Sequence, residues 1–298
     1  MCSLSNIITG LRKKMKVVRN IKELREQISL LKKNGKTIGF VPTMGALHDG
    51  HLSLVDLAKK HSDNVVVSIF VNPAQFAPHE DFDKYPRHEE DDIRKLSSKD
   101  PSIIYLPTKN EMYSENFDLK ISTGNIGKEL EGIARPHFFD GVALVVTKLF
   151  MQVQPDIAVF GEKDFQQLHV IKKLVKQLDM PIKVIGAPII REKSGLAMSS
   201  RNAYLSEDQS QISSKIYLVL KNIKEKIENN SSIDSAIKWG KEELLNQGLT
   251  KVDYMELRDS QTLEKVTIIN SPVRLLTAVY SGQTRLIDNI EVLPSIYS

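Results

Sequence analysis

Apolar residues at Ile21, Leu24, Ile28 and Leu31 recur at a three-to-four spacing that predicts a helix with one buried face, and Asn34 with Gly35 supplies its stop. Residues 17–18 and 37–41 predict short strands on either side of it, the second ended by Pro42, which has no N–H for a ladder. Residues 64–71, NVVVSIFV, are nearly all apolar and β-branched, the pattern of a strand covered on both faces. Residues 102–106, 156–160 and 182–190 repeat the extended signal. Helical spacing falls between these strands near 52–58, 88–96 and 165–178, and residues 141–153 are apolar nearly all round over a length that predicts a buried helix. Strand and helix in alternation imply an α/β fold with a Rossmann-like, doubly wound parallel sheet and ligands at the carboxyl ends of its strands. After a polar loop at 191–201, REKSGLAMSSR, come helices near 206–229 and 232–247, then strands near 251–257, 273–280 and 284–292. That order predicts a smaller α+β domain. The chain therefore divides into an extension at 1–14, a Rossmann-like domain at 15–189 and a C-terminal domain at 190–298, hinged near Ile190 and Arg191.

Composition narrows the class only a little. Of 298 residues, 41% are hydrophobic and 26% charged, which describes a globular chain with a sizeable core. A formal charge of +4 is spread along the sequence, so it suits a small anionic ligand as well as a nucleic acid. Cys2 is the single cysteine, so no disulfide forms within the chain and a reducing compartment is expected. No apolar run approaches membrane-spanning length, and Leu4, Ile7 and Ile8 precede Arg12, Lys13, Lys14 and Lys16, the reverse of a secretion signal. A cytoplasmic protein is the expectation.

Candidate chemistry concentrates in three segments. Residues 39–51, GFVPTMGALHDGH, run from a strand through a Gly-rich turn into a helix, whose first N–H groups and dipole make an anion site. His48 and His51 stand in that turn, where an imidazole can donate to a phosphate oxygen and, when protonated, add charge. The same residues also read as half of a zinc site or as a common structural unit. VFGEKDFQQL repeats the logic: Lys163 ends a strand and Gln167 lies one helical turn beyond, the alternative being Asp164 as a cap with Lys163 in solvent. Met198, Ser199, Ser200 and Arg201 gather two hydroxyls and a guanidinium after Gly195, which suits triphosphate oxygens or a polar surface loop. Gln75, beside Asn72 and Pro73, is by itself a loop amide. Asp91 and Asp92 can approach a metal, but they read more simply as the acidic first turn of a solvated helix.

Taken together, VPTMGALHDGH, VSIFVNPAQF, KYPR, FGEKDFQQL and GLAMSSRNAYL, in that order across residues 15–298, resemble the pantoate–β-alanine ligases of the H-x-G-H nucleotidylyltransferase group. The resemblance implies ATP-dependent condensation of pantoate with β-alanine through a pantoyl-adenylate, releasing pyrophosphate and AMP. It implies an ATP site at Met44, Gly45, Ala46, Leu47, His48, Asp49, Gly50 and His51, with His51 as proton donor. Gly161, Glu162, Lys163 and Asp164 match the second ATP segment, and Ile190, Met198, Ser199, Ser200 and Arg201 the third. Gln75 and Gln167 match ligands of pantoate, with Gln75 also near β-alanine. His48, His51, Lys163, Ser199, Ser200 and Arg201 are the residues assigned to catalysis. Mg²⁺ accompanies ATP with ligands left unknown, and a cytoplasmic homodimer without nucleic-acid or membrane partners is implied. One segment departs: where the family usually shows Arg-Pro-Gly-His-Phe, Arg135 and Pro136 are followed by His137, Phe138 and Phe139. That departure bears on local loop shape. Rival readings are another adenylyl- or cytidylyltransferase, a tRNA synthetase relative binding nucleic acid, and a nucleotide sensor without turnover.

Overall fold

The structure, a computed structural model, describes residues 15–77, 80 and 82–294. The extension expected at 1–14 lies outside them. Six strands, β1 (Lys16–Val18), β2 (Ile38–Thr43), β3 (Asn64–Ile69), β4 (Ile103–Tyr105), β5 (Ile157–Gly161) and β6 (Lys183–Ala187), form one parallel sheet in the order β1-β4-β3-β2-β5-β6. Side chains alternate across it, as the pleat demands. Phe40, Val66 and Phe160 face the core shared with α1 (Ile21–Leu31), while Val41, Val67 and Val159 face the core shared with α2 (Asp49–His61) and α3 (Glu89–Ser97). Two further short helices, α4 (Lys109–Met112) and α5 (Glu131–Ala134), lead into α6 (Phe138–Val153) and α7 (Phe165–Gln177), which share the face of α1. The valines of α6 are buried nearly all round it, so tertiary packing overrides their modest helix propensity.

Pro42 does not end β2; the strand runs on to Thr43 with Pro42 opposite Ser68. The reason is positional. Thr43 O accepts from the Phe70 N–H, so Thr43 turns its backbone toward β3 and Pro42 turns its own away. On that other side pairing with β5 stops at Phe40, so no ladder bond is lost.

The C-terminal part carries α8 (Glu207–Ser213), α9 (Lys215–Glu228), α10 (Ile233–Asn246) and an antiparallel sheet of β7 (Lys251–Asp259), β8 (Val273–Ser281) and β9 (Thr284–Val292). The single helix expected near 206–229 is two, broken at Ser214. This part has its own core, from Leu196 through Leu220 and Leu257 to Val292, and meets the parallel-sheet part at a small cluster of Phe165, Leu263 and Leu276. The fold is thus the Rossmann-like sheet with a smaller α+β domain. The strand order reverses between β2 and β5, the place where open α/β sheets leave a crevice for a ligand.

Candidate active site

The first segment leaves β2 at that crevice. Gly45 and Ala46 both take positive φ, 86° and 49°, which reverses the chain before α2. From α3, Asp92 accepts the Ala46 and Leu47 N–H groups at 2.9 and 2.8 Å, and Lys95 Nζ donates to Leu47 O at 2.7 Å. Asp92 is only 1% exposed, so it is not the solvated helix-start residue expected from sequence; it is the clamp that shapes the turn. Burial pushes its carboxyl above the ordinary range, against the pull of the two N–H groups.

Two imidazoles form the cap of α2. His48 Nδ1 accepts the Gly50 N–H at 3.1 Å, and the His48 N–H donates to His51 Nδ1 at 3.3 Å. Each Nδ1 is therefore an acceptor, which places the proton of each neutral ring on Nε2. Gly50 is required for this seat, since a Cβ there would lie 2.8 Å from the His48 ring. Burial first, then neighbouring positive charge including Lys163, lowers His48 to about 4; burial and His48 lower His51 to about 3. In the ligand-free site the rings therefore stand as neutral N–H donors, the first of the two contributions expected of them.

The second segment leaves β5, the neighbour of β2. A short 3₁₀ turn, Glu162–Asp164, carries Lys163 to the cavity wall, close enough to act on both histidines. Asp164 makes no side-chain cap, so that half of the alternative reading fails, while Lys163 is partly exposed on the cavity wall. The third segment folds back as a hairpin in which the Met198 N–H donates to Ile190 O at 3.0 Å. Ser199 caps the following 3₁₀ turn by accepting the Arg201 N–H, and Ser200 Oγ donates to Ala46 O at 3.1 Å. That bond docks the third segment directly on the first.

Met44, His48, Gly50, His51, Gly161, Lys163, Asp164, Ile190 and the run 198–201 line one cavity of about 1150 Å³ together with Gln75 and Gln167. That volume exceeds what one small ligand needs and suits a nucleotide beside a second molecule. Gly45, Ala46, Leu47 and Asp49 do not line it; they form the frame, with Leu47 in the core. Glu162 also turns away, toward Arg274 of β8 at 2.9 Å. Among the described residues no group of three or more His, Cys, Asp or Glu is placed to hold a metal, so the zinc reading of His48 and His51 finds no third ligand.

Gln75 is held from several sides. Its Oε1 accepts from Asn72 Nδ2 at 3.1 Å, and its Nε2 meets Met44 Sδ at 2.9 Å. Asn72 also donates to Gly141 O and accepts from the Tyr113 hydroxyl, so it ties β3 to α6. Arg135 donates to Gln75 O, pairs through two bonds with Glu80 and stacks 3.7 Å over Phe138. His137 has φ 72°, so the loop keeps a left-handed residue where the family's glycine would stand. The departure puts a Cβ at a left-handed position.

Sequence reasoning missed Asp92, Asn72 and Arg135. For Asp92 a signal existed: Leu96, one helical turn along, marks that face of α3 as inward. Arg135 acts through Gln75 and Glu80, and Asn72 through Tyr113 and Gly141 besides its neighbour Gln75; no spacing reveals the distant partners.

The chain matches the model of the family described as "Pantoate-beta-alanine ligase" over residues 16–291. A pantothenate synthetase of Rhodospirillum rubrum is 49% identical over 277 residues, 93% of this chain and 98% of the relative, and one of Caldicellulosiruptor bescii is 47% identical over 279. Among solved structures, a pantothenate synthetase of Thermus thermophilus superposes with a TM-score of 0.89 at 39% identity, covering 94% of this chain and all of the other. A pantoate–β-alanine ligase of Francisella tularensis, complexed with beta-gamma ATP and β-alanine, superposes with a TM-score of 0.77 at 36% identity, covering 93% and 97%. A match that spans nearly the whole of both chains carries the cavity, and not only the sheet, and by it this chain belongs to the pantoate–β-alanine ligase family.

Proposed function

We propose that this chain condenses pantoate with β-alanine at the expense of ATP, by way of a pantoyl-adenylate. The observation that carries the reading is the convergence of His48, His51, Lys163 and the 198–201 run on one cavity at the sheet's switch point. A carboxylate is a poor acyl donor, so it is activated first. Pantoate's carboxylate, ionised above a pKa of roughly 4, attacks the α-phosphorus of ATP and pyrophosphate leaves. Repulsion between anions and charge on the phosphoryl oxygens are the barrier. Lys163 and Arg201 supply positive charge; the neutral rings of His48 and His51 donate through Nε2, and Ser199 and Ser200 add hydroxyls. Of the two rings, His51 is assigned the proton-donor role at the developing charge.

Ser200 has a second task in this reading, because its bond to Ala46 O keeps the third segment against the first. Backbone at Met44, Gly45, Ala46, Leu47, Asp49, Gly50, Gly161 and Ile190 shapes the nucleotide pocket. Mg²⁺ enters as part of the nucleotide substrate, and Asp164 is the carboxylate of the second segment that lines the cavity. Gln75 and Gln167 recognise pantoate, since an amide both donates to and accepts from hydroxyls without adding charge. β-Alanine's neutral amine then attacks the adenylate carbonyl, AMP leaves, and the C-terminal domain shields the labile intermediate from water.

Purified protein given ATP, pantoate and β-alanine should form pantothenate, with AMP release that depends on β-alanine; pyrophosphate release without amide formation would favour another nucleotidylyltransferase. Lys163→Ala should cut pantoate-dependent ATP–pyrophosphate exchange by roughly a hundredfold or more with the fold kept, the loss expected of one well-placed donor. Near-normal exchange in that variant would remove Lys163 from the chemistry. The proposal includes a cytoplasmic homodimer, and a solution mass near 33.7 kDa would reject the dimer. Among the described residues no helix is long and apolar enough to cross a membrane.

A further inference from the structure

Lys163 sits at the cavity wall on a three-residue 3₁₀ turn, and that turn has no side-chain cap of its own. What fixes it comes from the other sheet. Asn289 of β9, 2% exposed, donates through Nδ2 to the carbonyl oxygens of both Glu162 and Lys163, each at 3.0 Å. Its Oδ1 accepts from Arg274 Nε at 2.6 Å, which settles the amide's orientation, since only the nitrogen end can face two carbonyls. Arg274 of β8, 9% exposed, closes the ring by donating from Nη2 to Glu162 Oε2 at 2.9 Å and by lying 4.5 Å over Phe165, the first residue of α7. The neighbour of Asn289, Asp288, takes Arg191 in a two-bond pair at 2.7 and 2.9 Å, at the base of the hairpin that presents residues 198–201. Two successive residues of one strand therefore hold the second and third segments of the site.

We infer that Asn289, backed by Arg274, is a positioning residue for Lys163: seating the antiparallel sheet on the turn sets the ammonium in place for the nucleotide. The inference rests on the proposed role of Lys163, and it makes the C-terminal domain part of the machinery for the first half-reaction. An amide is the suitable group. It gives two donors to two backbone acceptors, and it keeps an acceptor for the guanidinium without burying a charge.

ATP affinity, measured by titration calorimetry on the full chain, tests it in a cycle of Asn289→Ala, Lys163→Ala and the double variant. Asn289→Ala should weaken ATP binding about tenfold with Lys163 present, the loss expected for hydrogen bonds that set a charged group, and hardly at all once Lys163 is alanine. Asn289→Asp keeps the volume and the acceptor for Arg274 but cannot donate to the carbonyls, so it should weaken binding as much as alanine does. Equal losses in both Lys163 backgrounds, or wild-type affinity in Asn289→Asp, would overturn the assignment and leave Lys163's role standing. Wild-type ATP affinity and exchange in Lys163→Ala alone would instead remove the reading of Lys163, and the inference with it.

Discussion

At the scale of single residues, the paired imidazoles show how a phosphate-facing site gains donors without gaining charge. Each ring spends Nδ1 on a backbone N–H, and burial then holds His48 near 4 and His51 near 3. A proton binds either ring more weakly in the folded chain than in the unfolded one. The stability that neutral rings supply is thus complete above the ordinary imidazole value near 6.5 and is lost as pH falls toward those lowered values. The ligand-free protein should lose stability between about pH 6.5 and 3, and His51→Gln should flatten that slope in urea titrations; parallel curves for the two proteins would show that His51 binds its proton normally. His137 offers the opposite case, a residue whose backbone is its whole contribution. It is exposed and sits at φ 72°, where a Cβ costs about 1–2 kcal/mol and glycine loses about half of that in chain entropy. His137→Gly should therefore stabilise the protein by about 0.5–1 kcal/mol in urea unfolding, and an unchanged or lower midpoint would refute the strain.

At the scale of elements, the site depends on α3, which does not itself line the nucleotide segments. Asp92 and Lys95 both grip the Ala46–Leu47 turn, so the start of α2 is oriented by the helix that shares its side of the sheet. Asp92→Ala leaves two N–H groups without their acceptor, which should cost about 2–3 kcal/mol. Because a displaced turn moves both histidines, adenylate formation should also fall about a hundredfold. Wild-type exchange in that variant would show that the turn holds its shape unaided. Asp92 also marks the limit of what the chain discloses. Every strand of both sheets was legible in the sequence: burial on two faces writes runs such as NVVVSIFV directly into composition, while β9 alternates buried and half-buried positions. Lys163 and Gln167 were legible as site candidates because they follow a strand end, and the 198–201 run because it gathers two hydroxyls and a guanidinium after Gly195. Ser214, the break between α8 and α9, left no Gly or Pro to announce it. Pro42 misled, since its cost depends on which neighbour its missing N–H faces. Asp92, Asn72 and Asn289 were illegible as site-builders because the partners that tie them to other segments, Ala46, Gly141 and Glu162, lie 46, 69 and 127 residues away, on parts of the chain that only the fold brings together.

At the scale of the whole molecule, ion pairs join the two parts beside the apolar cluster of Phe165, Leu263 and Leu276. Arg285 of β9 pairs with Glu131 of α5 at 2.6 Å and with Asp253 of β7 at 2.9 Å, while the Tyr254 hydroxyl donates to the same Glu131 at 2.8 Å. Arg258 reaches Glu129 nearby, and Arg274 reaches Glu162. Such pairs are weak evidence of net stability, because desolvation offsets their attraction, but removing one partner leaves the other charge stranded. Glu131 is 7% exposed and is the acceptor at which Arg285 and Tyr254 meet. Glu131→Ala should cost about 3 kcal/mol, the low end for a broken buried pair, because Arg285 keeps Asp253. Lys99→Ala, which breaks the more exposed pair with Asp56, should cost under about 1 kcal/mol. Urea midpoints for the two variants decide the matter. Equal small losses would mean that water reaches the Glu131 cluster, and that apolar contact through Phe165, Leu263 and Leu276 is what seats the C-terminal domain.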